Sequence, residues 1–319
     1  MPCSLPEGRS VGYTGSAPGP AGLRARKEDD MAFAILTDTS ANLPTAYLRS
    51  EDIGVVPFTY TVFGRDYQCL DTAAFESEGF YNAMRRGVEV STTLVRPELY
   101  LAAFRPRLAA GEDLLFVGMS SGISGSFQCA MLAADDLREE FPERRIRLVD
   151  SLGASLGEGL LVMDAARYRA QGMDLDAATE ALLRRRRQMV QVFTVDDLMF
   201  LRKGGRLSNA AALVGTVLQI KPLLKGDEAG RIVSFAKVRG RKRSIEALAE
   251  QYDAQVAEPE AQTVGIAHAG CPADAAALRK LLRKNHPPRR ILTVDYEPVT
   301  GSHVGPGALA LFFYKGEGK

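Results

Sequence analysis

Cysteine and histidine are scarce in this 319-residue chain, with four and three copies. Cys3, Cys69, Cys129 and Cys271 lie far apart and form no CxxC pair. With so few histidines beside them, that spacing argues against a structural zinc site and reads as reduced thiols of an intracellular, cytoplasmic protein. The chain also lacks any uninterrupted apolar run of roughly 18–20 residues, the length a membrane span needs, so at most transient membrane contact is expected. An excess of either charge is missing too. Lys plus Arg (40) nearly balances Asp plus Glu (39), leaving no global field to recruit nucleic acid or an anionic surface. The two basic runs, Arg184–Arg187 and Lys237–Arg243, carry no interleaved aromatics, so nucleic acid is not an expected partner. Arg184–Arg187 reads as a solvated helix face. Leu201–Ser208 holds a Gly-Gly turn between cations without the GK[ST] ending of a P-loop, and no GxGxxG follows the first strand. Carboxylates do not pair at metal-ligand spacing, so neither metal nor cofactor is expected.

What remains is a globular mixture, 46% apolar and 25% charged, with room for two domains. Met1–Asp30 differs from the rest: it holds several Gly, Pro and Ser residues, little apolar periodicity and no signal-peptide h-region. It reads as a disordered extension or as an upstream start, with Met31 the natural beginning of the fold. From there, strand and helix alternate. Ala32–Asp38, Ile53–Phe63, Asp113–Ser121 and Arg144–Ser151 read as strands, with helical stretches at Pro97–Leu108 and Ser126–Glu140, the signature of a parallel sheet between helices.

After Ser155 the texture shifts. Helices are expected over Gly157–Ala170 and Leu175–Val192, then an apolar helix-like run at Ala210–Gln219. The Gly226–Gly230 turn between apolar runs marks a hairpin and therefore a mixed or antiparallel sheet. A further strand and helix follow at Thr263–His268 and Ala273–Lys284, then strands at Arg290–Tyr296 and Leu309–Tyr314. The expected fold class is α/β with two domains: a parallel-sheet, three-layer domain over 31–155 and a mixed-sheet domain over 156–319, with a ligand in the cleft between them.

Chemistry concentrates in three segments. In Leu114–Ala130 a strand enters a loop rich in Gly and Ser that opens a helix, and free N–H groups at a helix N-terminus suit a phosphate or a carboxylate. The competing structural reading is a plain connection capped by Ser124. The same segment holds Gly118-Met119-Ser120-Ser121-Gly122, a formal match to the GxSxG nucleophile elbow, with His303 downstream and Asp150 or Asp196 between. A serine esterase is therefore carried as the second reading, although its helix starts several residues too late. In Val90–Tyr100 the hydroxyls of Ser91, Thr92 and Thr93 precede a proline-started helix, which they either cap or leave to serve an anion. In Val299–Phe313 a single His303 reads as part of a Gly/Pro-rich turn before an apolar strand. His268 follows a strand and is the weaker candidate, and His286 reads as exposed.

Taken in order, these segments resemble the DegV family, the fatty-acid-binding proteins that include the FakB subunits of bacterial fatty acid kinase. The resemblance spans about Ala32 to Tyr314. It rests on Ile35–Pro44 (ILTDTSANLP), Thr92–Pro97 (TTLVRP), Ser120–Ala130 (SSGISGSFQCA), Val149–Ser151, Phe193–Ser208, Ile220–Leu224, Lys237–Arg243 and Gly301–Leu311. It implies a long-chain fatty acid held between two domains, with no catalysis by the chain itself. A separate ATP-binding kinase subunit would act as partner and phosphorylate the carboxyl group to an acyl phosphate for phospholipid synthesis. A kinase-independent reservoir or sensor is the variant of that reading. Carried over residue by residue, the carboxyl-binding positions fall on Thr92, on Ser124 with Gly125, and on His303. Arg206, Arg239 and Arg241 fall on cationic positions associated with the partner or head-group face. The chain departs from the pattern where the usual TSQP reads Thr92-Thr93-Leu94-Val95, and where Thr39 and Asn42 stand for Ser and Asp.

Overall fold

Buried parallel strands read as unbroken apolar runs because both faces are covered. Strands β1 (Ala34–Asp38), β2 (Ile53–Val56), β6 (Leu114–Gly118) and β7 (Ile146–Asp150) form such a sheet, all parallel in the order β2-β1-β6-β7. The pleat sends alternate residues to opposite faces. Ala34, Leu36, Leu114 and Phe116 pack under α3 (Pro97–Ala109) and α4 (Ser126–Glu140), while Ile35, Leu115 and Val117 face α5 (Leu156–Ala170) and α6 (Leu175–Arg185). That is the expected three-layer arrangement.

A small antiparallel sheet follows at the side: β3 (Thr59–Val62), β4 (Arg65–Tyr67) and β5 (Val90–Thr93), in the order β4-β3-β5. The run Ile53–Phe63 is therefore two strands in two sheets and not one. The break falls at Pro57, which has no N–H to give to a ladder, and the Phe58 N–H donates to Thr39 Oγ1 instead. Two short helices, α1 (Thr45–Ser50) and α2 (Ser77–Arg85), fill the connections.

The second large sheet has six strands: β8 (Met189–Thr194), β9 (Ile220–Gly226), β10 (Ile232–Arg239), β11 (Thr263–His268), β12 (Arg290–Asp295) and β13 (Leu309–Tyr314). Its order is β10-β9-β8-β13-β11-β12, antiparallel except for the β11–β12 pair. The β9–β10 hairpin is the one expected from Gly226–Gly230. Residues 189–192 belong to β8 and not to a helix extending from Leu175; α6 stops at Arg185, and pairing with β9 and β13 claims the β-branched Val190 and Val192. Helices α8 (Arg241–Gln255) and α9 (Pro272–Asn285) cover one face. The opposite face contributes Phe193, Leu224, Ala310 and Phe312 to the cluster that also holds Leu156, Leu160 and Leu161 of α5, so α5 packs on both large sheets.

The computed structural model describes residues 33–207 and 219–316, all within one compact unit. The Met1–Asp30 segment and residues 210–218 of the expected helix-like run lie outside the described residues. Two further short helices, α7 (Met199–Lys203) and α10 (Pro298–Val304), stand at the edge of the second sheet and bring its contribution to the site. No helix among the described residues is long and apolar enough to cross a membrane.

Candidate functional site

Thr92 lies on β5, paired with Tyr60 of β3, which leaves its side chain half-buried while Ser91 and Thr93 point outward. None of these hydroxyls caps α3, whose N-cap is Arg96. Ser124 and Gly125 lead into α4, with Gly125 as its N-cap. The Ser124 hydroxyl, one residue before that cap, accepts from the Ser126 N–H at 3.2 Å and donates to Ser126 Oγ at 2.9 Å while lining the site.

His303 lies in the last turn of α10 and not in a turn, as its Gly/Pro-rich surroundings had implied. The helix forms because Glu297 accepts from the N–H groups of Val299 and Thr300, at 2.6 and 2.5 Å, with Pro298 at the first helical position. This cap escaped the sequence reading, although Glu before Pro is a helix-start signal. Burial raises the Glu297 carboxyl to about 7.

The His303 Nε2 lies 2.8 Å from Thr92 Oγ1. Burial first, and the charge of Arg206 second, hold the imidazole down at about 4, so the ring is neutral at pH 7. Its Nδ1 lies against Gly204, where an added Cβ would come within 2.5 Å of it. The first glycine of the KGGR stretch is thus needed for the ring to sit here. Arg206 donates from Nε to the Ile123 carbonyl at 3.2 Å and from Nη1 to the Gly204 carbonyl, tying the segment after α7 to the loop before α4.

Thr92, Ser124, Gly125, Arg206 and His303 all line one cavity of about 300 Å³ between the two large sheets, the lower end of the range for small-molecule sites. Its walls are mostly apolar, among them Phe58, Met119, Ile123, Phe193, Ile232 and Phe312. Thr92, Arg206 and His303 also line an outer depression of about 600 Å³ with Lys203 and Ser302. The polar rim therefore faces an apolar interior on one side and, on the other, an outer depression of mixed character, where Phe63, Met84 and Phe200 stand beside Glu89 and Lys203.

The other cations stand elsewhere. Arg239 is exposed at the end of β10. Arg241 clamps α8 to its neighbours, donating to Asp274 Oδ2 at 2.8 Å and to the Gly307 carbonyl at 2.7 Å. Two members of the Arg184–Arg187 run are likewise not a solvated face: the Arg185 guanidinium stacks 3.5 Å over the Tyr314 ring, and Arg186 donates to the Asp150 carbonyl. His268 is buried with Nδ1 3.0 Å from Asp295 Oδ1, away from the cavity, and His286 is exposed.

Ser120, His303 and the candidate acids Asp150 and Asp196 do not form a hydrolase triad. Ser120 is 0% exposed; its hydroxyl donates to the Gly230 carbonyl at 2.9 Å and accepts from the Gly122 N–H. Asp150 receives the Ser121 hydroxyl at 2.6 Å, and Asp196 is paired with Lys221 at 2.7 Å. The ILTDTSANLP segment instead builds a buried acid pair. Asp38 accepts from the N–H groups of Ser40 and Met119, and Glu158 from the hydroxyls of Thr37 and Ser40. Burial raises both carboxyls, Glu158 further because Asp38 stands beside it. No group of three or more potential metal ligands gathers among the described residues.

Fold and site define an α/β protein with a mostly apolar cavity between its two large sheets. The profile of the DegV family, described as an uncharacterised protein family, matches residues 32–316. A DegV domain-containing protein of Clostridium perfringens is 34% identical over 282 residues, 88% of this chain and 97% of that protein. The chain belongs to the DegV family. Among solved structures, that of a fatty-acid-binding DegV family protein from Thermus thermophilus superposes with a TM-score of 0.81 at 29% identity, covering 89% of this chain and 99% of that one. The fatty acid binding DegV family protein of Streptococcus agalactiae gives 0.77, also at 29% identity, with 89% and 99% covered.

Proposed function

We propose that the protein holds one long-chain fatty acid in the inter-sheet cavity and presents its carboxylate to a separate ATP-dependent kinase subunit. The acyl chain takes the apolar interior. The carboxylate takes the rim, accepting from the Thr92 hydroxyl, whose oxygen takes the His303 Nε2–H, from the Ser124 hydroxyl turned away from Ser126, and from the Gly125 N–H at the start of α4, with Arg206 beside it. The observation that carries the reading is the double aspect of that rim: Thr92, Arg206 and His303 face both the apolar cavity and the outer depression. A head group held there is reachable from outside while its tail is not.

Energetics agree. Burying some fifteen methylenes yields about 12 kcal/mol at ~0.8 each, before the cost of association and of ordering the tail. A carboxylate at a helix N-terminus adds only about 0.3–2 kcal/mol, and each charge-assisted hydrogen bond roughly 1.5–3 kcal/mol before desolvation. The tail dominates affinity and the rim sets orientation. In the phosphoryl transfer, a carboxylate oxygen would attack the γ-phosphorus and ADP would leave, with magnesium and its ligands supplied by the partner. The chain then needs no general base, and the sequestered Ser120 agrees with that. The free thiols of Cys69, Cys129 and Cys271 and the need for an ATP-using partner favour a cytoplasmic location in this reading.

The test has two stages. Protein purified without added lipid is denatured and extracted, and released acids are identified by mass spectrometry; near-stoichiometric fatty acid is expected. An empty protein that takes up no labelled fatty acid would sink the reading. The loaded protein is then incubated with a fatty acid kinase ATP-binding subunit and ATP, and acyl phosphate is trapped with hydroxylamine. Loading without acyl phosphate would leave the reservoir or sensor variant and remove presentation.

A further inference from the structure

We propose that Gln191 is the end-stop of the cavity and sets the longest acyl chain it accepts; this rests on the fatty-acid reading above. Strand β8 measures depth. Its last residue, Thr194, pairs with Leu309, close after the helix that carries His303, and Phe193 lines the cavity. Gln191 lies two residues further from the rim on the same face, roughly 6–7 Å deeper at strand rise. It lines this cavity and also a second one, of about 710 Å³, on its far side. Among the described residues, two others, Leu152 and Gly226, belong to both. The ladder places Gly226 opposite Gln191, since Val192 pairs with Lys225. Three residues from three segments thus form the partition.

The partition is fixed. The Gln191 amide donates to the Leu152 carbonyl at 3.1 Å. Its Oε1 presses on α5, where a Cβ at Gly157 would come within 2.2 Å. Beyond it the chemistry changes, because the second cavity is bordered by Arg186, Arg187, Lys225 and Lys315. A methyl terminus meets an anchored amide, and past that amide lies a charged space in which further methylenes gain no burial. Each methylene that the apolar part does accommodate is worth about fourfold in affinity.

The experiment compares acids extracted from wild type, Gln191→Ala, Gly226→Val and Arg187→Ala made in the same cells, followed by competition with a series of saturated acids on the emptied proteins. Gln191→Ala removes the amide and should raise the longest well-bound acid by about two carbons, so that acids excluded from wild type gain about tenfold or more. At Gly226 an added Cβ would stand 3.8 Å from both Gln191 Nε2 and the Leu152 carbonyl, ordinary contact, so a side chain there thickens the wall. Gly226→Val should therefore shift the distribution to shorter acids. Arg187 borders only the second cavity, and Arg187→Ala should keep the wild-type distribution. Wild-type distributions at full occupancy in both partition variants would overturn the end-stop, as would a shift in Arg187→Ala, because the tail would then already reach the second cavity. If Gln191→Ala does not fold, Gly226→Val decides by itself. An empty wild type is a different failure: it removes the fatty-acid reading, and the end-stop with it.

Discussion

The Thr92 hydroxyl and the His303 imidazole meet at 2.8 Å although 211 positions separate them in the chain. One comes from the small sheet beside the parallel sheet, the other from a short helix at the edge of the mixed sheet, and the contact closes the rim of the cavity between the two large sheets. Neither residue is charged at neutral pH, since burial and Arg206 hold the ring neutral. The pair is thus a polar, uncharged clasp that a carboxylate can join, with Arg206 beside it to balance the charge.

Breaking the clasp should separate holding from presenting. Thr92→Val keeps the β-branched shape on β5 and removes the hydroxyl, so fatty acid affinity should fall about tenfold to a hundredfold, the value of one hydrogen bond to a charged group. His303→Ala should lower acyl phosphate formation by more than it lowers lipid occupancy, because the tail carries retention. Occupancy by extraction and rate by hydroxamate trapping check both. Equal losses in the His303 variant would contradict the division of labour.

Ligand should change the histidine itself. In the empty protein the His303 midpoint lies at about 4, and a carboxylate beside the ring favours its charged form. Loading with fatty acid should therefore move the midpoint upward, read by NMR of the imidazole against pH. A midpoint near the ordinary 6.5 in the empty protein would refute the burial argument. The sign for stability follows from the same shift. A depressed folded value means stability that is present above about 6.5 and is lost as pH falls through about 4.

Glu297, at the other end of the same helix, works in the opposite direction. Its carboxyl is raised from 4.5 to about 7 by burial, so its contribution is present below about 4.5 and lost as pH rises through about 7. Glu297→Gln removes the titration and keeps one of the two acceptor oxygens that the carboxylate offers to the Val299 and Thr300 N–H groups, a loss that does not itself vary with pH. The stability of wild type relative to this variant should decline by about 3 kcal/mol between pH 4.5 and 7.5. Denaturant melts of both proteins at three or four pH values measure it. A difference that does not vary with pH would show that the carboxyl does not titrate in this window.

Much of this architecture was legible because burial leaves a mark on composition. The strands Ala34–Asp38 and Leu114–Gly118 are covered on both faces and read as apolar runs. Where apolar texture continued across a change of partner, the reading failed: Ile53–Phe63 looks like one strand, and the helix from Leu175 looks continuous into Val192. The His303 helix was hidden by Gly301 and Gly305, which imitate a turn, while its true signal was a buried glutamate before Pro298. Cationic runs were legible only as cations. Arg206 reaches the rim, Arg241 ties down a helix and Arg239 lies in solvent, yet all three look alike in sequence. Gln191 left no mark, since one amide in a strand acquires meaning only when the ladder places it between two cavities.

Ser120 separates a carrier from a hydrolase by direct chemistry. Its hydroxyl is fully buried, donates to the Gly230 carbonyl and accepts from the Gly122 N–H, so it faces neither solvent nor the cavity. A fluorophosphonate probe should leave the native protein unlabelled, and intact-mass spectrometry after incubation reads this directly; stoichiometric labelling at Ser120 would restore the esterase. Ser120→Ala should instead register in stability. Removing the donor leaves the Gly230 carbonyl without its partner, a loss of about 1–3 kcal/mol. Because this contact joins the loop after β6 to the β9–β10 turn, the variant should also release bound fatty acid faster, measured as transfer of a labelled acid to acceptor vesicles. A variant with unchanged stability and unchanged release would show that the contact does not hold the two sides of the cavity together.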